Sequence, residues 1–422
     1  MQTHLSPEFE STPEGAQAQA IIRKCVHCGF CNATCPTYQL LGDELDGPRG
    51  RIYLIKQVLE GGAVTRSTQQ HLDRCLTCLN CQTTCPSGVE YGHLVDIGRK
   101  IVDARVARPA SERTLRWVLK EGLTSRLFAP ALRLGQALRP LLPGMLKNKV
   151  PARKAASAVD PPARTHQRKV LMLRGCVQPA MSPNIDRAAA RVLDRAQIQT
   201  IYAPQAGCCG ALRTHLSDPE GGLENMRRNI DAWLPLLAAG GVQAIVTSAS
   251  ACSLQIKEYG HALAGDARYA DKALRISNLA RDLSELLPLL LPVLQGQTRS
   301  DGPRRLAFHP PCTLQHGQKL KGGIESSMRT LGFEVDVAGS DSHLCCGSAG
   351  TYSILQPRLA MQLRDRKLEQ LARLEPEYIV SANVGCIHHL QSGTAIPVKH
   401  WIEVLDEALL PATSAPGASG AG

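Results

Sequence analysis

The chain has 422 residues, 43% of them hydrophobic and 20% charged, with a net charge of +11, too long for one compact core and ordinary for a soluble protein of two or three domains. Aromatic residues make up only 4%, which argues against a base-stacking surface, so no nucleic-acid partner is expected. The opening "MQTHLSPEFESTPEGAQAQA" lacks the basic and apolar regions of a secretory signal, and the most apolar run, Leu286 to Leu294, is short of the roughly 20 residues that span a bilayer and is interrupted by Pro288 and Pro292.

Such a chain is expected in the reducing cytoplasm, where its 16 cysteines read as metal ligands rather than a disulfide framework. Residues 1 to about 18 and the tail 411–422 are rich in Pro, Gly, Ser and Ala and read as mobile ends. Residues 18–102 form the first expected domain. It carries "CVHCGFCNATCP" (Cys25 to Pro36) and "CLTCLNCQTTCP" (Cys75 to Pro86), joined by helical patterns such as "GRIYLIKQVLEGG". The spacing C-x2-C-x2-C-x3-C-P is that of bacterial ferredoxins: three thiolates on a tight loop reach three corners of one [4Fe–4S] cube, and the fourth cysteine serves the other cube. On that rule one cluster takes Cys25, Cys28, Cys31 and Cys85, and the second takes Cys75, Cys78, Cys81 and Cys35. Structural zinc favours two separated C-x2-C knuckles around one ion and fits a repeated triple knuckle badly. His27, between ligands, reads as a solvent-facing neighbour. Paired clusters relay single electrons, and no residue here is read as catalytic.

Residues 99–169 hold 17 Lys/Arg against 4 Asp/Glu, a net of +13 that leaves −2 for the rest of the chain. Within the basic helical linker expected at 103–168, "TLRWVLKEGLTSRLFAPALRLGQALRPLLPGMLKNK" alternates apolar and basic residues at helical spacing, with breaks expected at Pro130, Pro140 and Pro143. Two readings stand: helices that cover neighbouring domains with solvated arginines, or a surface that meets anionic lipid or an acidic partner subunit.

The remainder repeats itself, as 169–295 and 304–410. Strands "KVLMLRG", "QTIYAP" and "VQAIVTSAS" lead to Cys176, to Cys208 with Cys209, and to Cys252; "RRLAFHPP", "FEVDVAG" and "EYIVSANVG" lead to Cys312, to Cys345 with Cys346, and to Cys386. Equivalent cysteines are offset by 136, 137 and 134 residues, and the closing patterns "NLARDLSELL" and "HWIEVLDEAL" both read as helices. Alternating strands and helices predict right-handed βαβ units on parallel sheets, giving a mixed α+β and α/β chain with a helical ferredoxin-like domain first. Four thiols at strand ends in each copy are candidate ligands of a further iron–sulfur cluster; the competing reading is buried, inert thiols. There is no G-x-G-x-x-G after the first strand, no Walker A and no G-x-S-x-G or S-x-x-K, so no flavin, nicotinamide or ATP site is expected, nor oxidation of an organic substrate by this chain alone.

This order of a two-cluster ferredoxin domain and two Cys-Cys-Gly domains resembles the iron–sulfur subunits of bacterial glycolate oxidases over about Ala18 to Leu410. The resemblance is most specific in "CVHCGFCNATCPTYQLLGDELDGPRGRIYLIKQ", "CLTCLNCQTTCPSGVEYGHLVDIGR", "GCCGALRTHLSD" and "LCCGSAGTYSILQP". It implies a peripheral complex at the cytoplasmic face of the inner membrane, in which flavin-containing subunits oxidise glycolate, and also D-lactate, and pass electrons through this chain to the quinone pool. Parts are shared with iron–sulfur subunits of lactate oxidation and of anaerobic glycerol-3-phosphate dehydrogenase, and with the Cys-Cys-Gly subunit of heterodisulfide reductase, which would imply thiol/disulfide chemistry. The last closes each domain with C-x-x-C; here Ala249 and Asn383 stand where that fifth cysteine belongs, which favours the electron-transfer reading.

Overall fold

The computed structural model describes residues 1–125, 127–141, 164–298 and 304–409. Arg126, Pro143 and the tail expected at 411–422 lie outside them.

Helices Pro13–Arg23, Pro48–Leu59, Arg66–Asp73 and Tyr91–Arg105 build the N-terminal domain. Ile52, Ile55 and Leu59 form one helical stripe that meets Ile21, Ile22, Leu72, Leu94 and Val95 in a single core. The segment before residue 18, expected to be mobile, packs on that core. Phe9 is buried with the Arg105 guanidinium 5.2 Å from its ring centroid, Thr3 is buried, and Thr12 caps the helix Pro13–Arg23 by accepting from the Gly15 N–H. One aromatic and one capping hydroxyl suffice to pin a segment whose average composition reads as disordered.

In the linker the break falls between helices Ala110–Thr124 and Phe128–Leu138, not at Pro130. Pro130 sits in the first turn, where a helix has no use for the missing N–H. Pro140 lies in the short turn Arg139–Leu141. Arg108 and Arg116 pair with Asp73 at 2.6 and 2.9 Å, and Lys120 pairs with Asp218 at 3.2 Å. The first of these helices therefore bridges the N-terminal domain and the first repeat, and much of the segment's positive charge is compensated within the fold.

Each repeat is a four-stranded parallel sheet. Strands β1 (Arg168–Met172), β2 (Ile198–Ile201), β3 (Val242–Thr247) and β4 (Ala280–Asp282) stand in the order β2-β1-β3-β4; β5 (Arg305–His309), β6 (Glu334–Asp336), β7 (Tyr378–Ser381) and β8 (Val398–His400) repeat it as β6-β5-β7-β8. Residues 280–282 and 398–400 correct the expectation of uninterrupted closing helices: they are edge strands, too short to show a period-two pattern. Helices Leu283–Leu294 and Trp401–Ala408 follow them, each opened by a capping box, Asp282 with Glu285 and His400 with Glu403. The former continues through Pro288 and Pro292, because its buried Leu286, Leu287, Leu290 and Leu294, worth roughly 1.5–3 kcal/mol each, outweigh the two lost backbone bonds. No described helix is long and apolar enough to cross a membrane.

The copies share one continuous core containing Val246, Leu287, Phe308, Val380 and Trp401. Helix Pro183–Arg195 packs on Trp401–Ala408 and Leu283–Leu294 on Gly323–Thr330, so each copy's opening helix meets the other's closing helix, as across a two-fold axis. Arg191 pairs with Asp406 at 2.5 Å, and His400 Nε2 donates to the Ser248 carbonyl at 2.8 Å.

Candidate metal centres

Both N-terminal knuckles begin where a helix stops, at Cys25 after Pro13–Arg23 and at Cys75 after Arg66–Asp73. Two residues on, His27 and Thr77 have φ of 55° and 52°, and two further on, Gly29 and Leu79 have φ of 83° and 61°. These matched left-handed residues turn each loop around its thiols, and the Thr77 N–H donates to Cys75 Sγ at 3.4 Å.

Two hollows result, of about 440 and 300 Å³ measured to their open mouths. Cys25, Cys28, Cys31 and Cys85 line the first; Cys35, Cys75 and Cys78 line the second; Cys81 borders both. The fold thus brings Cys85 to the first knuckle and Cys35 to the second. Burial, reinforced by Cys25, Cys28 and Cys85, pushes the Cys31 thiol up to about 11, and burial with Cys78, Cys75 and Cys35 pushes Cys81 up. Thiols crowded until their deprotonation is opposed fit a polynuclear iron centre, whose positive charge relieves that opposition. His27 is half-buried rather than solvent-facing, and its Nε2 has no partner beside the first hollow.

The second hollow has a cationic wall. Arg51, 1% exposed, lies 4.0 Å from Cys35 Sγ and donates to Thr37 Oγ1 at 3.1 Å, to Asp46 Oδ1 at 3.4 Å and to the His71 carbonyl at 2.7 Å. Burial opposes its charge, but Cys75, Tyr91, Cys35 and Asp46 outweigh that and raise its pKa. Arg74 closes on Asp46 at 2.7 Å, and Tyr91 donates its hydroxyl to Cys75 Sγ at 3.6 Å. Sequence reading missed Arg51. Its one signal is that it stands four residues before Ile55 on the buried stripe of its helix, where a charge has to be paired.

In both repeats the order 2-1-3-4 places the switch point between the two central strands, β1 and β3 or β5 and β7, and the cysteines gather at the carboxyl ends of the strands. In the first copy Cys176 and Cys208 stand 3.5 Å apart; hydrogen bonds from Cys176 and Cys209 and the Gly210 N–H hold Cys208 low. In the second, Cys312 precedes a π-turn, Thr313–Gly317, and Cys386 lies in helix Val384–Gln391. Although Cys312 pulls it down, Cys346 and burial push Cys345 up to about 12. The glycine after each cysteine pair has φ of +99° (Gly210) or +89° (Gly347), and a Cβ there would meet Gly222 O at 2.9 Å or Ala360 O at 2.4 Å. Only glycine lets the thiol loop turn that close to the helix behind it.

The second copy also touches the N-terminal domain. Leu76 and Cys78 pack with Cys312, Cys345 and Tyr352. Cys345, Cys78 and burial together push the Cys312 thiol up. Thr83 Oγ1 meets His316 Nδ1 at 2.9 Å, Asn80 donates to the His343 carbonyl at 3.3 Å, and Tyr352 donates to the Arg74 carbonyl at 3.1 Å.

Residues 21–89 match the 4Fe-4S dicluster domain family, and residues 170–257 and 306–391 match the cysteine-rich domain family. The chain is 54% identical over 418 residues to the glycolate oxidase iron-sulfur subunit of Escherichia coli (strain K12), covering 97% of this chain and 99% of that protein. It belongs to the family of glycolate oxidase iron–sulfur subunits. Within the family it is 29% identical over 404 residues to the probable glycolate oxidase iron-sulfur subunit of Bacillus subtilis (strain 168), covering 88% of this chain and 89% of that one. Lactate utilization protein A of Geobacillus thermodenitrificans (strain NG80-2) is 26% identical over 247 residues, 56% of this chain and 98% of the relative. The N-terminal domain is accordingly a two-cluster [4Fe–4S] electron-transfer domain, followed by two α/β cysteine-rich domains.

Proposed function

We propose that this chain is the electron-relay subunit of a complex in which flavin-containing partners oxidise glycolate, and also D-lactate, while this chain carries the electrons toward the membrane quinone pool. Cys25, Cys28, Cys31 and Cys85 hold one [4Fe–4S] cluster in this reading, and Cys75, Cys78, Cys81 and Cys35 the other; the four thiols of each repeat are candidate ligands of a further cluster. When bound, such clusters exchange single electrons. The observation that carries the reading is the continuity of thiols: Cys81 borders both hollows, and Cys78 interacts with Cys312 of the second repeat. At the outer end Cys28 is exposed, flanked by Val26 and Phe30, 68% and 61% exposed, a small apolar face suited to an electron-donating subunit. Thiol–disulfide exchange calls for an accessible low-pKa thiol, whereas Cys345 and Cys346 are buried with raised pKa values, and Cys208, though held low, is buried as well.

The test is quinone reduction by the purified complex with glycolate, D-lactate and glycerol 3-phosphate. Glycolate and D-lactate should serve, and Cys78→Ser should stop quinone reduction while glycolate still reduces the flavin; exclusive use of glycerol 3-phosphate would reassign the complex. Iron analysis should give at least about eight irons per chain, with Cys85→Ser perturbing the EPR signal of the Cys25 knuckle. Stoichiometric zinc without acid-labile sulfide would overturn the assignment.

Peripheral attachment at the cytoplasmic face is the second part of the proposal. It is supported by Trp117, Leu127, Leu134 and Leu138, 59%, 73%, 63% and 44% exposed on two consecutive helices of the basic segment and the turn that opens the second. Rising salt should release the complex from membranes, and Arg126, Arg133 and Arg139 replaced by Gln should shift release to lower salt. Full membrane binding by that variant, with loss of the flavin subunits, would give this surface to the subunits instead.

A further inference from the structure

His309 closes β5, one of the two central strands of the second sheet, three residues before Cys312. It is wholly buried, and neither ring nitrogen has a hydrogen-bond partner. The other buried histidines are satisfied: His400 accepts from Ile402 N–H and donates to Ser248 O, His316 bonds Thr83 and His343 O, and His71 bonds Asp46. A neutral imidazole carries a donor and an acceptor, and leaving both unmet in an apolar interior is costly; a metal bound to one nitrogen takes up the lone pair and leaves only the N–H unmet. Cys346 Sγ, Cys386 Sγ and a His309 nitrogen all lie within 4.8 Å of one another, and all three residues are buried. They come from three separate elements: the end of β5, the turn before Gly347 and the helix Val384–Gln391. Ser381 Oγ donates to the His309 carbonyl at 2.9 Å, fixing the backbone from which the ring projects. In the first copy the residue three before Cys176 is Leu173, buried and without a donor atom.

We propose that His309 is a nitrogen ligand of the metal centre in the second Cys-Cys-Gly domain, which is therefore held by mixed thiolate and imidazole donors, while the first domain offers thiolates alone. This rests on the reading that the thiols of the second domain hold an iron–sulfur centre. The second domain then offers five donors, of which a four-iron cube uses four; a neutral imidazole taking the place of one thiolate lowers the negative charge around the iron, so the second centre takes up an electron more readily than an all-thiolate one.

The experiment uses the intact complex, prepared anaerobically with ¹⁵N-histidine in this chain, reduced in steps and followed by EPR and ENDOR. A signal abolished by Cys346→Ser should show strong ¹⁵N coupling; His309→Leu, copying the first domain, should remove the coupling, and His309→Cys should keep the signal but move its midpoint to lower potential. If His309→Leu does not fold, the labelled native complex and His309→Cys still decide the question. A signal that Cys346→Ser abolishes, yet without nitrogen coupling and with its midpoint unmoved in His309→Cys, would overturn the ligand assignment alone. Iron content and every EPR signal unchanged in both Cys346→Ser and Cys386→Ser would show that the domain holds no iron, overturning the underlying reading and the assignment together.

Discussion

The two Cys-Cys-Gly domains share strand order, thiol positions and a core, yet differ in what surrounds their thiols. In the first, Leu173 stands three residues before Cys176, and Asn229, ten residues after the first proline of its helix, ties the loop with neutral bonds: it donates to Cys208 O at 2.9 Å and Tyr259 OH at 3.0 Å and accepts from Gly207 N–H at 2.8 Å. In the second, the same two places hold His309 and Lys367. Lys367 is buried, its ammonium bonds the carbonyls of Asp341 and Ser342, and burial lowers its pKa against the pull of Cys312, Cys346 and Cys345. The second copy alone also presents Cys312 to Cys78 of the ferredoxin-like domain. A repeat conserves the frame that places the thiols; which copy meets the N-terminal clusters, with a cation beside it, is set by a few buried side chains.

The largest effect that would break this contrast is functional. Cys312→Ser should slow glycolate-driven quinone reduction by roughly tenfold or more, and Cys176→Ser by less, if the second copy is the one in line with Cys78; equal loss in steady-state assays would make the copies equivalent. Next come the glycines. Gly347→Ala forces a Cβ to 2.4 Å from Ala360 O, against 2.9 Å from Gly222 O for Gly210→Ala, so denaturant melting should show losses of about 2–3 and about 1–2 kcal/mol, each including the left-handed penalty. Lys367→Met should cost about 0.5–1.5 kcal/mol by removing the ammonium's bonds to the Asp341 and Ser342 carbonyls, which keep the Leu344 N–H and Gln315 Nε2 as donors. It should also move the midpoint of the second centre to lower potential, whereas Asn229→Leu should destabilise the first copy without moving that midpoint.

The smallest effect concerns pH. Burial lowers His400 in the second copy to about 4, and burial raises Asp186 in the first to about 6. A histidine whose folded pKa lies below its unfolded value contributes stability present above about 6.5 and lost as pH falls toward 4, at no more than about 1.4 kcal/mol per unit. The raised carboxyl acts oppositely: its burial is a cost above pH 6 that protonation relieves as pH falls through that value. Thermal melts between pH 7 and 4.5 should therefore flatten in His400→Gln and steepen in Asp186→Asn, and unchanged slopes in both would refute the assignment.

The thiols were legible because chemistry imposes their spacing: a ferredoxin loop has to place three sulfurs around one cube, and a repeat announces itself by offset. The sheets were legible too, from short apolar strands that end at cysteines. The edge strands 280–282 and 398–400 were not, since three residues carry no period, and the packed N-terminus was not, since Phe9 and Thr12 are lost in an averaged composition. Arg51 and Lys367 left a trace, each a charge four residues from a buried leucine or isoleucine on its helix, but the trace cannot name a partner.

By itself, then, the sequence determined the class of cofactor, the number of thiol sites and the parallel α/β frame, because each follows from local spacing or from periodicity within one element. The tertiary structure alone decided which thiols face one another, that Cys78 meets Cys312, and that His309 is left buried without a partner. Those are contacts between residues tens to hundreds of positions apart, and they depend on how helices and sheets close on one another, which no local pattern of residues encodes.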